Sequence, residues 1–419
     1  MNRRNFLQRL AAMVPIASFM PYYEALAATE RNRVKITDVK VMRVQIHKHA
    51  MPLVKIETDA GISGIGECHH DVTGLGAKDV VLNAFRRMLI GSDPFDIERL
   101  VQEMTFRVSY LGGNGGIAMH ALTGCEVALW DLTGKLLDMP VRKILGGGAY
   151  RNKVRAYLTG PVNMLDKAAC QDWVDYVNGS VQKWTGAKVD HISRRQGGSA
   201  LNRRMDRMDL AQNVQAFENL REIAGEQFDI AFHCHWEFDL PDALRLARAI
   251  EHIGIWWLED PMPIEFNESW VTLTQNSPVP ILCGENLYTR QDFRPFIVNQ
   301  GVHMIEIDIS MAGGLLEAKK IADLAEMYYM PVCTHNVMGP LATIASANCA
   351  ATIMDFVGHE SFDFKQGMLA GEEDLVIYDR EIIQDGHIQL SDNPGLGAEI
   401  NKDVAVKYLM DGEDWWGDA

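Results

Sequence analysis

The 419-residue chain has no apolar stretch long enough to cross a bilayer, which excludes a helical membrane span. It has no basic surplus either. Fifty-six acidic residues stand against 40 basic ones, a formal charge of −16, and nucleic acid is thereby excluded as the main partner. There is no CxxC pair. The seven cysteines, at 68, 125, 170, 234, 283, 333 and 349, are scattered and odd in number, so they read as thiols rather than a disulfide scaffold. A Rossmann glycine fingerprint is missing. The Gly-rich stretch Leu111–Gly116 has no Lys-Ser/Thr after it and follows no clear strand, which argues against a phosphate cradle. What is present, 47% hydrophobic residues and 35 glycines, suffices for a large core or two domains.

The first thirty residues follow a separate logic. Arg3-Arg4 precedes Phe6-Leu7 and an apolar run from Leu10 to Met20 broken by Pro15, and Ala25-Leu26-Ala27 offers a small-x-small cleavage site. That order resembles a twin-arginine signal peptide over residues 1–27, against the alternative of an amphipathic helix with an incidental arginine pair. It implies an exported, periplasmic protein, or a cytoplasmic one if the signal is not functional. Export after folding suits a protein that keeps its thiols.

From Val34 to Thr58 the chain alternates as strands do, with a turn at Asp59-Ala60-Gly61. Apolar-periodic segments at 79–90, 95–107 and 116–138 follow, so residues 34–150 read as an α+β unit. After Gly146-Gly147-Gly148 the texture changes. Short apolar runs begin near 154, 187, 228, 255, 280, 302, 331 and 352, separated by amphipathic stretches such as 208–224, 240–253, 313–328 and 339–350. Eight β/α alternations predict a parallel barrel over 151–360, with an open doubly wound sheet as the alternative. Residues 361–419 carry no further unit and are expected to pack back on the first domain.

Polar residues recur where each apolar run stops: Lys188 and Asp190, His233 and His235, Glu259, Glu285, Asp308, His335 and Glu360. From 233 the steps are 26, 26, 23, 27 and 25 residues, about one β/α unit each. The C-terminal ends of barrel strands converge on one mouth. Alternation puts Lys188 with Asp190, and His233 with His235, on one face. Buried charges without partners are costly, so this ladder points to a site rather than to packing. Glu259 and Glu285 suit a hard divalent cation bound through oxygen. Asp308 and His335 suit a dyad in which the acid orients the imidazole and raises its basicity. A metal facing a histidine base is what removal of a proton next to a carboxylate requires.

The segments Ala128-Leu-Trp-Asp-Leu-Thr-Gly134, Ile144-Leu-Gly-Gly147, Trp257-Leu-Glu-Asp-Pro261, Gly284-Glu-Asn286, Asp308-Ile-Ser-Met-Ala-Gly-Gly314 and Thr334-His-Asn336 carry a resemblance. Residues 34–400 resemble the enolase superfamily, mandelate racemase/muconate lactonizing enzyme subgroup. The resemblance implies an α/β fold: a modified (β/α)7β TIM-like barrel under an α+β N-terminal capping domain. It implies Glu259 and Glu285 as metal ligands, His335 with Asp308 as the base dyad, and Glu360 near the substrate carboxylate. It also implies a homo-oligomer.

Lys188-Val-Asp190 lacks the second lysine that racemases and cycloisomerases of the family carry. His235 resembles the histidine that protonates the departing hydroxyl in galactonate dehydratase-type members; a metal-binding or supporting role is its alternative. Lys188 would then face the substrate carboxylate, with Asp190 as a further substrate contact. The implied function is a hydro-lyase acting on a small acid sugar: proton abstraction α to the carboxylate, a metal-stabilised enediolate, loss of the β-hydroxyl and a 2-keto-3-deoxy acid. The alternatives are an epimerase or cycloisomerase of the same superfamily, or a non-catalytic sugar-acid binding protein. One departure stands out. His233 occupies the position where the family has an aspartate ligand, so Mg²⁺, the ion implied by the resemblance, competes with Mn²⁺ or another transition metal, and an altered or metal-free site is the alternative.

Two peripheral features are candidates for substrate contact. Tyr150, Arg151 and the loop Glu67-Cys68-His69-His70 are expected over the barrel mouth, with a plain solvated loop as the alternative. The arginine-rich insert His191–Arg207 reads as a basic lid or a plain surface loop.

Overall fold

The structure, a computed structural model, describes residues 34–47, 49–70, 73–110, 113–160, 164–192 and 204–417. The twin-arginine segment and most of the arginine-rich insert, 193–203, lie outside the described residues. No helix among the described residues is long and apolar enough to cross a membrane. All seven cysteines are buried, and none is in a disulfide.

The alternating N-terminal run folds as an antiparallel sheet of β1 (Ile36–Ile46), β2 (His49–Thr58) and β3 (Ser63–Glu67). One face packs on α1 (Ile97–Ser109) and α2 (Ile117–Leu136). Helix α2 is apolar nearly all round, with residues such as Leu122, Cys125 and Leu129 fully buried. A helix of that composition has to be covered on several sides. The cap sheet takes one side and the barrel takes another.

The barrel strands are β4 (Lys153–Thr159), β5 (Gly186–Asp190), β6 (Asp229–His233), β7 (Leu258–Glu259), β8 (Ile281–Cys283), β9 (Met304–Glu306), β10 (Val332–Thr334) and β11 (Phe356–Ser361). All neighbours pair in parallel, and β11 returns to β4 to close the ring. Among the described residues each of the seven crossovers carries one main helix: α3 (Lys167–Gly179), α4 (Arg207–Ala224), α5 (Leu240–Ala249), α6 (Glu268–Asn276), α7 (Thr289–Val298), α8 (Leu315–Glu326) and α9 (Pro340–Ala350). This is a (β/α)7β barrel under an α+β cap, and the open sheet is ruled out by the β11–β4 pairing. The C-terminal stretch touches the cap: Leu409 bridges Val44, and Glu413 receives both Arg43 and Lys78 at 2.7 Å.

Cap and barrel are joined by buried carboxylates set on helix N-termini. Glu126 of α2 accepts from the Leu315 and Leu316 N–H groups at the start of α8 and from the Trp130 indole. Glu67 accepts from the Gly339 and Ala342 N–H groups at the start of α9. The first N–H groups of a helix have no partners inside it, and its dipole favours an anion there. Gly314 makes room for one of these contacts: a Cβ there would lie 2.3 Å from Glu126 Oε2.

Burial pushes Glu126 up to about 7, although its three donors pull the other way. A carboxyl that holds its proton more tightly when folded contributes fully below the unfolded value of 4.5 and loses that contribution as pH rises through 7. Denaturant unfolding at pH 5 and pH 8 should therefore show a fall in stability, on the order of 3 kcal/mol from this group, that Glu126→Gln lacks. Equal pH slopes for the two proteins would show that the anchor ionises without cost.

Candidate active site

The ladder residues converge at the C-terminal mouth of the barrel, where parallel strands present their last side chains. At the centre is Lys188 on β5, only 4% exposed. Its ammonium lies 2.8 Å from Glu259 Oε1, 2.8 Å from Glu360 Oε2 and 3.3 Å from Glu285 Oε2. Burial alone would lower its pKa, but Glu259, Glu360, Glu306 and Glu285 raise it well above the usual lysine value. Lys188 is a fixed cation.

On the next strand His233 faces inward and His235 stands at the rim. The φ of His235 is +49°, so the chain turns as it leaves β6 and holds the two rings at a centroid distance of 3.8 Å. Asp190 lies against both, its Oδ1 3.0 Å from His235 Nε2 and 3.5 Å from His233 Nδ1. Burial would raise the Asp190 carboxyl, yet the two imidazoles hold it far below the usual range. His233 Nε2 meets Glu285 at 3.6 Å, Glu259 at 3.7 Å and Asp260 at 3.9 Å. These separations are too long for hydrogen bonds. They match the spacing of donor atoms that share one ion.

Across the mouth, His335 Nδ1 is 2.6 Å from Asp308 Oδ2. The other oxygen of Asp308 accepts from the N–H groups of Ser310 and Met311, which fixes the carboxylate. His335 Nε2 points inward, 3.4 Å from Glu285 and 3.6 Å from Glu360. Burial would lower the pKa of His335, but Glu285, Glu360 and the Asp308 bond raise it to about 10. Without a second cation at the glutamates this imidazole stays protonated.

Three features bear on metal binding. His233, Glu259, Asp260 and Glu285 each offer a buried donor atom, and all four atoms lie within 4.8 Å of one another. Neither nitrogen of His233 and neither oxygen of Asp260 has a hydrogen-bond partner. Glu259 is braced by the Trp257 indole at 2.8 Å, and Glu360, outside the set but sharing Lys188 with it, by the Thr159 hydroxyl at 2.8 Å. A buried set of one imidazole and three carboxylates fits a divalent cation.

The sequence reading missed several residues here. Asp260 lies inside a motif segment but follows Glu259 directly, so alternation placed it on the opposite face. Glu306, fully buried and bonded to the Tyr157 hydroxyl at 2.7 Å, sits two residues before Asp308 on the same face. The alternation used for Lys188 and Asp190 would have found it. Tyr150 and Arg151 require a correction. Arg151 donates to the carbonyls of Ala350, Ile353 and Met354 at the end of α9, because residues that precede β4 lie at its N-terminal end, opposite the mouth. In the Glu67–His70 loop, Glu67 is the α9 anchor, whereas His69 stacks on His70, lies tilted against His120 and is close enough to Asp308 to act on its charge.

Removing the central cation should be costly. Lys188→Met leaves three buried glutamates without their shared partner, and chelator-treated protein should lose about 3–5 kcal/mol of stability. Adding Mn²⁺ should restore part of that loss, read as a thermal shift. A variant as stable as wild type in chelator would show that the glutamates shed their charge unaided.

The comparisons with known proteins agree with this geometry. Residues 25–146 match the mandelate racemase/muconate lactonizing enzyme N-terminal domain, and residues 169–404 match the enolase C-terminal domain-like family. A D-xylonate dehydratase of Haloferax volcanii is 35% identical over 381 residues, covering 90% of each chain. A D-galactonate dehydratase of Pectobacterium atrosepticum is 32% identical over 379 residues, covering 86% of this chain and 92% of its own. A mandelate racemase/muconate lactonizing enzyme-like protein from Rubrobacter xylanophilus superposes with a TM-score of 0.84 at 32% identity, over 91% of this chain and 99% of its own. With a closed (β/α)7β barrel, a docked cap and a carboxylate–histidine mouth, the chain belongs to the mandelate racemase/muconate lactonizing enzyme family of the enolase superfamily.

Proposed function

We propose that the protein is an acid-sugar dehydratase, a hydro-lyase that converts an aldonate- or aldarate-type acid into its 2-keto-3-deoxy product. The observation that carries this reading is the Asp308–His335 pair facing a cluster of cation-binding donors, with His235 on the far rim. Relatives named for D-xylonate, D-galactonate and arabinonate dehydration support the substrate class.

His335, oriented by Asp308, takes the proton α to the substrate carboxylate through Nε2, the nitrogen that points into the mouth. Lys188 and Glu360 lie beside that nitrogen; the ammonium attracts the substrate carboxylate, and Glu360 keeps the lysine in place. His235, held by Asp190, protonates the departing β-hydroxyl from the opposite side. A divalent cation bound by His233, Glu259 and Glu285 would grip the carboxylate, offset the charge that builds on it and cancel the field that keeps His335 protonated. Mg²⁺ is the ion implied by the resemblance, and the imidazole donor admits Mn²⁺. Two-base racemisation has no support on β5, where Lys188 is bonded to three glutamates and position 190 is an aspartate. The N-terminal arginine pair supports export to the periplasm.

The test is a screen of aldonic and aldaric acids for 2-keto-3-deoxy products with Mg²⁺, with Mn²⁺ and with chelator. At least one acid should be dehydrated, and only when metal is present; turnover that ignores chelator would overturn the mechanism. The two histidines should separate in deuterated water. His335→Asn should lose product formation by about 10²–10⁴-fold together with exchange at C2. His235→Asn should lose product but keep exchange. Loss of both activities in both variants would assign His235 to binding rather than proton delivery.

A further inference from the structure

The strand that carries Glu259 ends in an irregularity that the dehydration chemistry leaves unused. Successive strand residues point to opposite faces, so Asp260 belongs on the helix side of the barrel wall. It is turned inward instead. Its φ of +45° lies in the left-handed region, which aspartate tolerates better than most residues. Its peptide groups are pinned on both sides: the N–H donates to the Leu282 carbonyl at 3.0 Å, and the carbonyl accepts from the Trp236 N–H at 2.7 Å. A second carboxylate is thereby set beside Glu259, fully buried, with Oδ2 3.9 Å from His233 Nε2.

That carboxylate has no hydrogen bond at either oxygen, and His233 has none at either nitrogen. Holding an ionised carboxylate in such a place is costly unless a cation meets it. The nearby ammonium of Lys188 is already committed to Glu259, Glu285 and Glu360. His233, for its part, brings a neutral nitrogen where a carboxylate oxygen would bring charge. Asp190 beside its Nδ1 leaves Nε2 for the cluster, as when a carboxylate backs a metal-bound imidazole.

We infer that Asp260 is itself a metal ligand, supplying the oxygen donor and the charge that His233 does not and completing a one-nitrogen, three-carboxylate set with Glu259 and Glu285. The inference rests on the divalent-cation reading of this cluster. It goes beyond that reading in moving the missing carboxylate from one strand end to the next.

Chelator-treated full-length protein is titrated with Mn²⁺ alone, and the loss of the aqueous Mn²⁺ EPR signal gives Kd. Thermal unfolding of the same samples is followed with and without the ion. Asp260→Asn is expected to weaken Mn²⁺ binding about tenfold or more. In the metal-free state it is expected to unfold at or above the wild-type temperature, because an amide has no ionisation for burial and the neighbouring carboxylates to oppose, and to gain less from Mn²⁺. Asp260→Ser gives the same comparison if the asparagine variant does not fold. Two results overturn the inference and are distinguishable. If wild type binds Mn²⁺ and Glu285→Gln weakens it, while the Asp260 variant keeps a Kd within twofold of wild type, the cation site stands and Asp260 is not a ligand. If wild type takes up no Mn²⁺, the cation reading itself falls, and the assignment of Asp260 falls with it.

Discussion

Most of the barrel mouth is explained by one imbalance: more carboxylates are gathered there than the protein has cations to match. Lys188 is shared among Glu259, Glu285 and Glu360, and Asp260 stands beside them. Removing several charges from water costs several kcal/mol each unless their geometry compensates. Shared pairing with Lys188, the indole on Glu259 and the hydroxyl on Glu360 supply some compensation. The rest is an electrostatic demand for a further cation, and the same demand keeps His335 protonated until that cation arrives. Metal affinity and base strength are two readings of one field.

The acidic surplus of the chain has a second use away from the mouth. Glu67 and Glu126 are buried carboxylates too, but their partners are backbone N–H groups at helix starts rather than cations. The two environments separate by donor type. Where three neutral donors converge, burial raises the carboxyl to about 7. Where the Lys188 ammonium and two imidazoles converge, as at Glu285 beside His233 and His335, the carboxyl is held low despite full burial. One residue type thus serves as a docking peg in one place and a charge reservoir in another.

Legibility from the sequence follows the same physics. Most of the barrel strands are readable because each is a short apolar run ending in a polar residue, and the site ladder because its spacing equals one β/α unit; the eighth strand, Phe356–Ser361, starts only where the apolar run from 352 ends. Lys188 with Asp190 follows from period-2 alternation within β5; His233 and His235 do come together, but through the turn at His235, because β6 ends at His233. Asp260 escaped for the converse reason: a left-handed backbone turn, invisible in residue type, breaks the alternation. Glu306 was within reach of the same rule but was passed over inside an apolar strand. Tyr150 and Arg151 fall away from the mouth because they precede the first barrel strand, although the resemblance sets them with the cap that reaches over it. Chain direction puts them at the opposite end. No pattern in the sequence marks Glu67 or Glu126 as anchors, because the helix-start N–H groups they hold lie more than 180 residues away.

Those anchors give the cap an uneven hold on the barrel. Glu126 grips the helix that follows the Asp308 strand, and Glu67 grips the helix that follows the His335 strand. The proton-abstracting half of the mouth is therefore clamped from above, while the half formed by Lys188, Asp190 and His235 has no comparable carboxylate anchor among the described contacts. Cap and barrel are then not interchangeable modules. A cap exchanged between relatives would seat only if the receiving barrel kept Gly314, and with it the space that Glu126 enters. Inheritance of the cap is tied to inheritance of the base.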